Sequence, residues 1–216
     1  MLIEKYRELI VEYGCRCLHE GLTSATGGNL SVRDPETGLV AIKPSNMDYD
    51  KLTPEDIPVV DINGNLVEGK YKPSSELPMH TIIYRTRLDI FAAIHVHSYF
   101  ATSFAVANKE VPILTQDIAE LAIGSIHIAP FQVPGSIELG QSVVESFGDS
   151  DVVLMQNHGS MAVARTIKLA YSASCALERA CAAYFYALQI GQVTVIPDQV
   201  NKSMRKEYQA YALVAA

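Results

Sequence analysis

The stretch Ile90-Phe-Ala-Ala-Ile-His95-Val-His97-Ser constrains this chain more than any other. Five apolar residues lead into two histidines separated by a single valine. On an extended strand alternate side chains share a face, so His95 and His97 point the same way. Two imidazoles at a strand end make half of a metal site; without further ligands they are ordinary histidines. The candidates elsewhere are His158, which follows the apolar run 151–155, and Glu76, which follows two serines at a predicted helix start. Three imidazoles with one open position are the arrangement catalytic zinc favours, and Glu76 would complete or vacate the fourth place. Taken alone, His158 in Asn157-His158-Gly159 reads more readily as a turn residue. Zinc suits this nitrogen-rich set best, with manganese, cobalt and iron left open because affinity order does not settle occupancy. His19, His80 and His127 fall near a helix end, inside a helix and in a strand, and none is assigned to the metal.

The bulk numbers narrow the classes. At 216 residues, 49% hydrophobic and 19% charged, the chain is long enough for one domain over 1–216 with a sizeable core. A net charge of −7 argues against a general nucleic-acid surface, which needs clustered Lys and Arg. An anionic small ligand would instead have to be held by local backbone donors or a cation. Glu4, Lys5, Arg7, Glu8 and Glu12 interrupt the first apolar positions, so no leader is expected, and no apolar run approaches a membrane span. Cys15, Cys17, Cys175 and Cys181 form no Cys-x-x-Cys and lie in helix-like stretches. They read as reduced thiols, and a cytoplasmic location is the expectation.

Apolar residues at helical spacing predict a first helix over 2–18, stopped by Gly21. Two hairpins follow, 30–33 with 39–42 and 59–62 with 66–67, separated by a short helix at Thr53-Pro54-Glu55-Asp56. Helices are predicted to about Arg85, from a capping Ser98 to Val106, and over 118–123, 136–147, 166–190 and 198–212. Strands are predicted at 111–114, 125–129, 151–155 and 161–164. The 198–212 helix has a weak apolar face. This mixture predicts an α/β fold, a single three-layer domain whose central, mainly antiparallel sheet is flanked by helices.

Three loops share small side chains, hydroxyls and approachable backbone NH groups: Thr26-Gly27-Gly28-Asn29, Ser45-Asn46 and Ser74-Ser75. Ser74-Ser75 would present theirs at a helix N-terminus, where anions bind readily. Together they could cradle one phosphate, while each alone is ordinary turn composition. Lys43 either adds charge there or sits on a solvated edge.

With these residues in view, the chain resembles the class II aldolase/adducin family. The matching pieces are Gly28-Asn-Leu-Ser31, Ile42-Lys-Pro-Ser45, Glu68-Gly69 with Lys72-Pro-Ser-Ser-Glu76, His95-Val-His97-Ser98 and Asn157-His-Gly159. They run in family order over nearly the whole chain and are jointly specific. The resemblance implies that His95, His97 and His158 hold a divalent metal, with Glu76 as ligand or base. It implies that Asn29, Ser45, Asn46, Ser74 and Ser75 bind a sugar phosphate. It also implies a homotetramer with four-fold symmetry and active sites between subunits, a neighbour contributing Tyr211, with Tyr208 as the competing residue. Glu120 falls where relatives carry a further acid/base group, with Asp117 in reserve. Fuculose-phosphate aldolases have a tyrosine where this chain has Gln116, and most relatives have glycine at Asn46.

The expected activity is zinc-dependent cleavage of a ketose 1-phosphate to dihydroxyacetone phosphate and an aldehyde through an enediolate. An L-ribulose-5-phosphate 4-epimerase is the alternative, then a methylthioribulose-1-phosphate dehydratase. An adducin-like head module is the non-enzymatic reading. Lys43-Pro-Ser45 and Glu120 are epimerase-like. Glu76 and the run Ala129-Pro-Phe131 to Leu139 are aldolase-like.

Overall fold

In the computed structural model, which describes residues 1–214, strand β5 (Ala92–Val96) lies near the middle of an eight-stranded sheet. Its neighbours are β1 (Asn29–Arg33) and β10 (Gly159–Ala164), both antiparallel to it. Outward from β1 come β2 (Val40–Ile42), β3 (Val59–Val60) and β4 (Leu66–Glu68), and outward from β10 come β9 (Val152–Met155) and β8 (Ile128–Ala129). Every pairing is antiparallel except β8 with β9. Both predicted hairpins are present. A separate ribbon pairs β6 (Val111–Pro112) with β7 (Ser125–Ile126).

Helices cover both faces, because the strands alternate their apolar residues between two cores. Val153, Met155, Met161, Val163 and Ala93 pack beneath α2 (Leu77–Thr86) and α5 (Ile137–Phe147). Leu30, Val32, Ile94 and Val96 face α1 (Glu4–His19), and Val152, Leu154 and Ala162 face α3 (Tyr99–Val106) and α6 (Ile167–Ile190). This two-residue alternation decides where the chemistry goes. His95 has the parity of Ala93, so its ring projects on the α2 side of the sheet. Asn29 and Ser31 have the opposite parity to Leu30 and Val32 and reach the same side.

Helix ends follow local chemistry. Ser136 and Thr166 accept from the backbone N–H of Leu139 and Leu169 at 3.1 and 3.3 Å. Thr53 and Asp56 form a reciprocal capping box around the 3₁₀ turn Pro54–Asp56. Ser98 does not cap α3 with its side chain, as its position had suggested. The carboxylate of Glu178, reaching over from α6, accepts from Phe100 and Ala101 N–H at 2.9 and 2.8 Å. The predicted strand 125–129 divides at His127, where the chain leaves the ribbon and joins β9.

Helices α4 (Gln116–Leu121) and α7 (Asp198–Val214) lie against each other with little apolar contact from α7. The substitute is polar. Buried Asn201 donates to the carbonyls of Ala119 and Ala122 at 2.9 and 2.8 Å and accepts from Gly124 N–H at 3.2 Å. One turn later, buried Arg205 donates to both oxygens of Asp151, at 2.6 and 3.0 Å, and to Glu120 O at 3.0 Å. The four cysteines are free, Cys17 and Cys181 being buried. Among the described residues, no helix is long and apolar enough to cross a membrane.

Candidate active site

Strand β5 ends at Val96, and the chain continues extended far enough for His97 to rise beside His95. Their rings lie 4.6 Å apart between centroids, and the two Nε2 atoms 2.9 Å apart. His158 comes from the turn joining β9 to β10, where Asn157 takes φ 56°. Its ring centroid is 4.7 Å from that of His95. Gly159 permits this closeness, since a Cβ there would collide with the Val96 carbonyl and the His97 ring. One ligand nitrogen from each ring lies within 4.8 Å of the others, so the predicted trio converges.

Glu76 closes the cluster from the start of α2. Its Oε2 lies 3.2 Å from His95 Nε2, and its Oε1 lies 3.4 Å from His158 Nε2. Burial disfavours the Glu76 charge, but the adjoining His95 and His158 and a hydrogen bond from Asn29 outweigh it and hold the carboxyl well below its usual range. Burial, with His95 alongside, pushes His97 and His158 down to about 4. These two rings are neutral at pH 7 and have lone pairs to offer. His95 donates from Nδ1 to the Ser160 carbonyl at 2.9 Å, which turns its Nε2 inward toward His97 and Glu76. Glu76 Oε1 is buried with no hydrogen-bond partner. A divalent cation fits this donor set: three ring nitrogens and an unpaired carboxylate oxygen, crowded together.

Beside the cluster is a small, strongly polar pocket lined by Thr26, Asn29, Lys43, Ser45, Asn46, Ser74 and Ser75. Backbone bonds lash two of the loops together: Ser45 N–H to Lys72 O and Ser74 N–H to Lys43 O, both 3.0 Å. Asn46 takes φ 55°, a left-handed conformation that asparagine tolerates in place of glycine. Gly28 has φ 64°, and a Cβ there would sit 2.5 Å from His95 O, so only glycine lets this loop reach the strand that carries His95. Lys43 is 1% exposed and does not sit on a solvated edge. Its Nζ donates to Thr26 O at 3.1 Å and Pro44 O at 3.3 Å, and burial pulls it down to about 8.

Glu120 and Tyr211 lie elsewhere in the chain. With Gln116, Met204 and Tyr208 they line a cleft between α4 and α7 that includes none of the three histidines. Gln116 donates to Glu120 at 3.2 Å, Tyr211 is 60% exposed, and the Tyr208 and Tyr211 rings are 6.3 Å apart. Asp117 pairs with Arg179 at 3.1 Å.

Sequence reasoning passed over His80. It is inside a helix as expected, but it is fully buried and hydrogen-bonded to Asn29 at 2.5 Å. The available signal was its spacing: four residues beyond Glu76, it falls on the same helix face.

Residues 8–185 match the family described as the Class II Aldolase and Adducin N-terminal domain. The chain belongs to that family. Among its relatives, a 5-deoxy-D-ribulose 1-phosphate aldolase of Bacillus thuringiensis serovar kurstaki is 38% identical, over 98% of this chain and 99% of that protein. An L-fuculose phosphate aldolase of Methanococcus maripaludis is 36% identical, over 76% and 88%. A solved L-fuculose 1-phosphate aldolase superposes with a TM-score of 0.93 at 35% identity, over 97% and 98% of the two chains.

Proposed function

We propose that this protein is a metal-dependent ketose 1-phosphate aldolase, releasing dihydroxyacetone phosphate and an aldehyde. The observation that carries this reading is the meeting of three ring nitrogens and a buried carboxylate beside a polar, anion-sized cradle. Both named relatives act on ketose phosphates by aldol cleavage.

His95, His97 and His158 would hold the ion, zinc by preference, with Glu76 as the displaceable fourth group. When bound, the ion supplies positive charge against the electron pair left as the carbon–carbon bond breaks. Asn29, Ser45, Asn46, Ser74 and Ser75 grip the phosphate, fixing the sugar so that its reacting carbons face Glu76. Glu76 moves the proton at the carbon of dihydroxyacetone phosphate from which the aldehyde departs. Glu120 or Tyr211 holds the proton of the hydroxyl that becomes the aldehyde. Because these two lie apart from the histidines within one chain, they would serve a neighbouring subunit's site in a homotetramer.

The test incubates the metal-loaded protein with ketose 1-phosphates and assays for dihydroxyacetone phosphate. Its release, lost in Glu76→Gln, is the expected result. Interconversion of pentulose phosphates without triose would replace this reading with the 4-epimerase, and loss of water alone with the dehydratase.

A further inference from the structure

From Asn29, at the edge of the cradle, a buried file of polar groups runs into the protein between β1 and α2. Tyr84 OH is 2.7 Å from Ser31 Oγ and 2.9 Å from Ser31 O. Ser31 Oγ is 2.6 Å from His80 Nδ1, and His80 Nε2 is 2.5 Å from Asn29 Oδ1. Asn29 Nδ2 donates to Glu76 Oε2 at 2.8 Å. Ser31, His80 and Tyr84 are fully buried and Asn29 nearly so.

The direction of the bonds between Ser31 and Glu76 follows from one end. An ionised carboxylate only accepts, so the Asn29 amide must turn its NH₂ toward Glu76 and its oxygen toward His80. That oxygen needs a donor, which makes His80 the Nε2–H tautomer with a bare Nδ1. The bare nitrogen takes the Ser31 hydroxyl hydrogen, and the file ends at Tyr84, whose single hydrogen goes to the Ser31 carbonyl. The three donors of Ser31, His80 and Asn29 therefore point the same way, toward the carboxylate. A neutral His80 is required, and full burial, with His95 nearby, pushes its pKa down to about 3.

We propose that His80 is a positioning residue for Glu76, acting through Asn29. Its Nε2–H locks the asparagine amide in the one orientation that gives Glu76 a donor and leaves the second amide hydrogen for the phosphate cradle. An apolar residue at 80 removes the lock. Asn29 can then rotate by half a turn, setting its carbonyl oxygen against the carboxylate. The base and the cradle are thus held by one side chain whose orientation is decided outside the site. The assignment of Glu76 as the proton-moving group rests on the aldolase reading; the direction of the file does not.

Two measurements test this. Nitrogen-15 NMR of the full-length protein at pH 7 should find His80 neutral, with Nε2 protonated and Nδ1 bare. The Nδ1–H tautomer or a charged ring overturns the proposal, whether or not any sugar phosphate is cleaved. In metal-loaded protein, His80→Leu should lower kcat about 10–100-fold, the range for lost outer-shell partners, and weaken inorganic phosphate binding. His80→Gln, whose amide restores a donor to Asn29, should recover most of both. A folded His80→Leu protein within twofold of the parent in both readouts, or a His80→Gln protein as impaired as His80→Leu, overturns it. If His80→Leu does not fold, the tautomer decides. A parent protein inert toward every ketose phosphate would refute the aldolase reading and leave the tautomer result standing.

Discussion

His158 makes the sharpest single-residue case, because alone it read as a turn residue and only its neighbours make it a candidate ligand. Removing it leaves two nitrogens from one strand. His158→Ala is expected to lose most bound metal on dialysis, measured by elemental analysis, and unchanged content would remove the three-imidazole site. Lys43 gives a prediction in pH. Burial pulls its amine from the ordinary lysine value down to about 8, so it carries charge below that pH and loses it above. Affinity for inorganic phosphate should therefore fall as pH rises through about 8. That fall should vanish in Lys43→Met, and calorimetry across pH 7–9 checks it. Stability runs the other way: the unfolded chain binds more protons between the two pKa values, so this residue's contribution to stability rises with pH over that window. The spacing of His95 and His97 revealed a shared face, because strand geometry alone fixes it. The burial of Lys43 and the partners of His80 were not legible, because they depend on residues far along the chain.

Elements were read well where their signal was local. The helix starts at Ser136 and Thr166, both hairpins and the long α6 all follow from periodicity and flanking residues. The failures were non-local. Ser98 had the chemistry of a cap, but Glu178, eighty residues on, reaches the same N–H groups. The weak apolar face of α7 marked a real difference: this helix is held by Asn201 and Arg205, whose partners sequence periodicity cannot name. Asn201→Leu would strand two buried carbonyls and one N–H at the end of α4. It should lower stability by about 2–3 kcal/mol in chemical denaturation, the order expected for buried groups left unpaired. A loss below half of that would mean water takes over these bonds.

At the scale of the whole molecule, the sheet order and the two cores account for the histidine cluster and the cradle, but Glu120 and Tyr211 line a cleft that includes none of the histidines. If they serve a neighbour, two crippled chains should complement each other. His97→Ala and Tyr211→Phe proteins, dissociated together and reassembled, are expected to cleave substrate that neither cleaves alone. Failure to recover activity, with mixed oligomers demonstrated by mass, would confine catalysis to single chains. The pairing of β5 with β10 has one more consequence, for the order in which the molecule matures. Met161 stands opposite His95 only after a segment some sixty residues downstream has returned to the middle of the sheet. Until then a nascent chain offers an ion nothing better than an isolated pair of imidazoles. Full-strength chelation is therefore a late event, and the rate of metal capture during refolding should report the closing of that central seam.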